Sequence, residues 1–162
     1  MLRKVFQTDN DYLLTIVRVV AGVVFFAHGA QKVLGAFGGP GFSATLNGME
    51  RLGIPAPFAL LAIVAEFFGG LGLIVGLLSR VAAFGIFVEM AVAIAKVHGA
   101  FGFFMNWTGT QRGEGFEFHL LALALLVVVM VRGAGALSLD RLIAGSDQRE
   151  RVDARSHWPA AA

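Results

Sequence analysis

Residues 18–32, RVVAGVVFFAHGAQK, are apolar enough to sit in lipid, yet they carry Arg18, His28, Gln31 and Lys32. On a helix, residues three, four or seven apart share a face. Arg18, Phe25 and Lys32 step by sevens, and Ala21, His28, Gln31 and Lys32 fill the same side. Each unpaired charge facing hydrocarbon costs roughly 2.5 kcal/mol or more, so the stripe must meet partners on other helices or line a wet cavity. The later apolar segments supply Glu66, Glu89, Glu117 and His119 as those partners.

The surrounding composition agrees with a chain made for lipid. Of 162 residues, 57% are hydrophobic and 15% charged, and the mean hydropathy of +0.74 is too high for an ordinary soluble domain. Fifteen Phe against one Tyr also suit lipid contact. With no cysteine, disulfides, thiolate metal sites, cysteine-anchored iron–sulfur clusters and thiol relays within this chain are excluded. The net charge is +2 and no basic run is interleaved with aromatics, which argues against a nucleic-acid partner. The polar start and long first apolar segment fit a cleaved signal peptide poorly.

Read in order, the chain predicts an all-α membrane protein: an antiparallel bundle of four transmembrane helices, with a short interfacial helix between spans 1 and 2. A cytoplasmic segment 1–11 precedes a four-helix domain over 12–144, with spans at about 12–34, 58–78, 81–97 and 117–132. Asp9, Asn10 and Asp11 are candidate caps for the first span, which at roughly 33 Å crosses a bilayer. Gly35, Gly38, Gly39, Pro40 and Gly41 stop it. Phe42, Leu46, Met49 and Leu52 then recur at helical spacing, the pattern of a helix lying at the interface. The second span carries Ala62, Ala65, Gly69, Gly70, Gly72 and Gly76, small residues that let helices approach closely, with Gly72 and Gly76 as one small-xxx-small pair.

Leu78-Ser79-Arg80 leaves room only for a tight turn, so the third span packs antiparallel on the second. In the loop 98–116, Phe101, Phe103, Phe104, Met105 and Trp107 suit the headgroup layer, with His98 as a further anchor. Gly133 and Gly135 end the fourth span, Ser138-Leu139-Asp140 caps a last short helix, and 145–162 reads as a polar, disordered cytoplasmic tail. Arg3, Lys4, Arg80, Arg132, Arg141, Arg149, Arg151 and Arg155 fall on one side, against Lys32, Arg51, Lys96 and Arg112 on the other. Positive charge therefore places both termini in the cytoplasm of a multi-pass plasma-membrane protein.

Counted from the outer ends of the spans, His28, Glu66 and Glu89 share a depth of roughly 9 to 12 Å. Lys32, Lys96, Glu117, His98 and His119 sit above them, and Arg18 lies toward the cytoplasmic half. The expected result is a polar funnel open to the outer face. Glu66 and Glu89 are its candidate proton carriers, and His28, Gln31, Lys32, Lys96, Glu117 and His119 its candidate binding residues. Such a funnel offers a quinone donors for its carbonyls, a proton source and an apolar slot for its ring. Arg18 reads as a structural ion pair reaching toward Glu66, or as an anchor snorkelling to the inner headgroups. His28 and His119 differ in depth by roughly one and a half turns and neither span has a second histidine, which argues against haem. Glu114, Glu117 and His119 are too ordinary a set near a helix start to assign a metal.

Several short signatures in order resemble the DoxX family. Arg18, Gly22, His28-Gly29 and Lys32 are similar to its first helix; Glu66, Gly69-Gly70 and Gly76-Leu77-Leu78-Ser79-Arg80 follow; and Arg132-Gly-Ala-Gly135-Ala-Leu-Ser138-Leu-Asp140 resembles its closing signature. The resemblance covers about 12–143. It implies a small four-helix membrane protein from a family named for a subunit of a thiosulfate:quinone oxidoreductase, with members linked to membrane oxidoreductase complexes and to resistance against thiol or quinone stress. The expectation is a redox-associated subunit that binds a quinone or similar small molecule and works with a protein partner. The alternatives are a small-solute transporter or channel, and a scaffold whose glycine-lined second helix pairs between subunits of a homo-oligomer.

Overall fold

The computed structural model describes residues 5–145, and every regular element among them is helical. Helix α1 is Tyr12–Leu34, α2 Phe42–Arg51, α3 Ala56–Val75, α4 Ser79–Lys96 and α5 Glu117–Arg132. Turns of 3-10 helix, Ala36–Gly38 and His98–Phe101, follow α1 and α4, and residues 139–145 form a last helical stretch. The expected tail lies outside the described residues, apart from Gly145.

Local chemistry sets these boundaries. Of the three candidate caps it is Asp11 that starts α1, accepting from Leu13 N at 2.8 Å and Leu14 N at 3.2 Å. Gly35 ends α1 at φ 69°. Helix α3 begins earlier than 58, because Pro55 O accepts from Phe58 N and Ala59 N at 2.9 and 3.1 Å. It also ends before 78: Gly76 turns left-handed at φ 74°, and the Gly76 and Leu77 N–H groups fold back onto Gly72 O. Gly72 and Gly76 therefore build a turn, and Gly76 is also a point of close approach for Ser138 and for Arg18 of α1.

Helix α1 packs on α3, α3 on α4, α4 on α5 and α5 on α1, around a core that includes Phe25, Leu73, Ile86, Met90, Leu126 and Val129. The small residues of α3 are used inside the chain. A Cβ on Gly29 would come within 2.5 Å of Phe67 Cα, and one on Gly70 would collide with the backbone of Phe26. Such approach maximises dispersion between α1 and α3 where lipid supplies no hydrophobic drive. By length and composition, α1 (mean hydropathy 1.9) and α3 (2.3) are apolar enough to cross a membrane.

The start of α1 meets the ends of the other helices in a network of polar contacts. Arg18, 1% exposed, donates to Ala134 O (2.6 Å), Ile74 O (2.9 Å), Leu137 O (2.6 Å) and Leu73 O. It has no carboxylate within ion-pair distance among the described residues, so the expected ion pair is corrected. Burial selects the carbonyls left over at the end of α3 and beyond α5, which need donors in a dry setting. Asp140, also 1% exposed, accepts from Leu78 N at 2.6 Å and Ser79 N at 2.9 Å, capping α4 from a distant part of the chain. The last helical stretch is capped by Ser138 instead, whose Oγ accepts from Arg141 N at 3.3 Å. Arg80 donates to Val131 O (2.8 Å), Met130 O and Gln7 O, and Arg132 pairs with Asp9.

Replacing Asp140 with Ala is expected to cost about 1–2 kcal/mol, the worth of a helix cap. Thermal unfolding in detergent, followed by helical circular dichroism, checks this. Leu139→Ala, at a 41% exposed neighbour, should leave the midpoint unchanged, and equal midpoints for Asp140→Ala and the parent would refute the capping role.

Candidate functional site

Glu66 is where α3 departs from α-helical geometry. Residues Ala65–Gly69 form a π-helical turn, a feature that often marks functional positions, and Glu66 within it is 3% exposed. Its carboxylate is ion-paired with Lys32 Nζ from α1. Glu89 from α4 lies within electrostatic reach of both Glu66 and Lys32, and its Oε2 is buried with no hydrogen-bond partner. One ammonium thus faces two carboxyl groups, the three charged groups coming from three different helices.

A set of rings gathers between α1, α5 and the loop that follows α4. His119, 5% exposed on α5, has a buried Nδ1 without a partner, and its ring centroid is 4.1 Å from that of His98. His98 is fixed to the loop through Nδ1 and Glu114 O at 2.8 Å. Phe118 lies between the histidines of α1 and α5, with ring centroids 6.3 Å from His28 and 5.6 Å from His119. His28 is exposed at this α1–α5 seam. The buried face of α1 runs through Leu14, Arg18, Ala21, Gly22, Phe25 and Gly29, which puts His28 on its edge.

Two expected binding residues have partners elsewhere, and a third is exposed. Gln31 Nε2 donates to Phe37 O at 3.4 Å and steadies the turn after α1. Glu117 Oε1 accepts from Met105 N and Trp107 Nε1, both at 2.9 Å, and organises the loop before α5. Lys96 is exposed and forms no ion pair among the described residues. A cavity of about 670 Å³ opens against Val75, Leu137 and Leu142, and one of about 330 Å³ lies within loop 98–116; neither is lined by Lys32, Glu66 or Glu89.

An all-helical chain with bilayer-length apolar helices and charges paired between them has the design of a small helical membrane protein. The DoxX family profile matches residues 13–99, which include α1 to α4 and the Lys32, Glu66 and Glu89 trio. An uncharacterized protein of Haemophilus influenzae is 33% identical over 136 residues, covering 81% of this chain and 90% of that protein. Inner membrane protein YqjF of Escherichia coli is 27% identical over 134 residues, 83% of this chain and 94% of YqjF. The uncharacterized membrane protein Rv3486 of Mycobacterium tuberculosis is 33% identical over 137 residues, 77% of each chain. No solved structure matches the chain. The chain belongs to the DoxX family.

Removing one partner from a buried ion pair strands the other charge, at a cost of about 3–5 kcal/mol. Lys32→Met alone should therefore destabilise the folded protein strongly, whereas Lys32→Met combined with Glu66→Gln should recover most of the loss. Unfolding midpoints of the two single variants and the double variant test this, and additive losses would show that the pair is not coupled.

Proposed function

We propose that the chain is a four-span antiparallel bundle of the plasma (inner) membrane, with residues 12–144 as its one folded domain and both termini in the cytoplasm. Alternating helix direction is supported by the contacts of Arg18, Asp140 and Arg80, which join the starts of α1 and α4 to the ends of α3 and α5. The cytoplasmic assignment rests on Arg80, Arg132 and Arg141 collecting at that same end.

Within this frame the protein binds a quinone or a similar ring compound in the opposite half of the bundle and supports electron and proton transfer with a partner protein. The carrying observation is the pair of Lys32 with the buried Glu66 carboxylate, within electrostatic reach of a Glu89 whose Oε2 is buried without a hydrogen-bond partner; His119 on α5 adds a second buried, unpartnered polar atom. A carbonyl-bearing ring entering at the α1–α5 seam meets the exposed His28 and the ring of Phe118. Reduction of such a compound takes up electrons and protons together. The partner supplies the electrons, and Glu66 and Glu89 pass the protons. The inward-facing glycines of α3 leave little for a scaffold that pairs subunits through that helix.

Native mass spectrometry of the detergent-purified protein is expected to show a co-purifying quinone-class molecule, and a quinone analogue should bind saturably. His28→Ala and Glu89→Gln should each weaken that binding about tenfold, the worth of one hydrogen bond of roughly 1.5 kcal/mol. Absence of saturable binding, or binding indifferent to both substitutions, would remove the redox reading. Altered solute flux with unchanged binding would favour transport.

A further inference from the structure

Loop 98–116 is a built object. Glu117 holds Met105 N and Trp107 Nε1, and Glu114 Oε2 accepts from Asn106 N at 2.7 Å. Asn106 and Gln111 bond each other reciprocally, with Gln111 N to Asn106 Oδ1 at 2.9 Å and Asn106 Nδ2 to Gln111 O at 3.3 Å. Phe116 N and Glu117 N close the base onto Gly102 O and Phe103 O. On this frame Trp107 is 83% exposed and Phe104 66%. Because the only polar atom of the Trp107 side chain is taken by Glu117, the indole presents carbon alone to its surroundings. The loop's own cavity of about 330 Å³ is walled by Phe101, Phe103 and Phe104, with Gln111 and Arg112 at its edge. Arg112 is exposed and has no carboxylate within ion-pair distance among the described residues.

We propose that this loop is a docking surface for an anionic phospholipid, with Phe104 and Trp107 seated in the headgroup layer and Arg112 paired with a phosphate whose charge no ammonium of the same head group neutralises, as choline does. Charge and shape both select this occupant. An unopposed guanidinium prefers a phosphate, to which it donates in a fork. The aromatic wall beside it accommodates the first carbons of the chains, and the ordered loop has little freedom left to lose on binding. A soluble anion would use the arginine but not the ring wall.

The full chain, purified in detergent, is incubated with phosphatidylglycerol or with phosphatidylcholine of the same chains, and bound lipid is counted by native mass spectrometry. The parent should retain phosphatidylglycerol over phosphatidylcholine, and Arg112→Gln should lose about fivefold in that preference, the equivalent of ~1 kcal/mol for one arginine at an anionic surface. Lys96→Gln, which removes another exposed cation, should keep the preference. In a Trp158→Phe background, brominated lipid should quench Trp107 in nanodiscs while aqueous iodide should not. Equal retention of the two lipids, the same loss in Lys96→Gln, displacement by inorganic phosphate, or quenching of Trp107 by iodide alone would each overturn the proposal. Unchanged helical circular dichroism in Arg112→Gln separates lost binding from lost folding.

Discussion

Hydrocarbon hydrates neither an ammonium nor a carboxylate, and the Lys32–Glu66 pair is how this chain meets that constraint. The pair commits α1 to lie against α3 at one depth and in one rotation. Gly29 and Gly70 let the two backbones close to the separation at which a lysine side chain reaches across. Glu66 sits in the π-helical turn and Glu89 adds a second carboxyl from α4, so three helices are registered by one group of charges. Replacing such a group with packed aliphatics is often neutral or favourable for stability.

At the other end of the bundle the same constraint has a different solution. Helices that stop in a dry region leave carbonyls and N–H groups without partners. Here arginines supply the donors and a carboxylate supplies the acceptors. Arg18 serves the end of α3 and the segment beyond α5, Arg80 serves the end of α5, and Asp140 serves the start of α4. Positive charge at this end therefore has a structural use. Two polar layers, one ionic and one of helix ends, enclose an apolar middle of Phe25, Ile86, Met90 and Leu126.

Much of this was legible from residue spacing. The sevenfold step of Arg18, Phe25 and Lys32 marked a buried face, and the polar residues of separate spans had to meet. Spacing could not say which ones. Arg18 chose carbonyls over Glu66 because loops, invisible to periodicity, brought Ala134 and Leu137 to it. Asp140 capping α4 is a contact 61 residues apart in sequence, beyond any local rule. The π-helical turn has no local signature beyond the glycines that follow it. His28 moved to the edge of its face because Gly29 takes the closest approach to α3. The exposed aromatics of loop 98–116 were visible in composition, but not the hydrogen bonds by which Glu117 aims them.

The central claim is that charged groups of different helices touch inside the bundle, and a zero-length cross-link measures it directly. The protein in native membranes is treated with a hydrophobic carbodiimide, which activates carboxyl groups reachable from lipid, and the peptides are then sequenced by mass spectrometry. Contact predicts an amide joining Lys32 to Glu66. Glu66 recovered as the reagent's own adduct, with Lys32 unmodified, would show that the reagent arrived and found no lysine there, and would contradict the account.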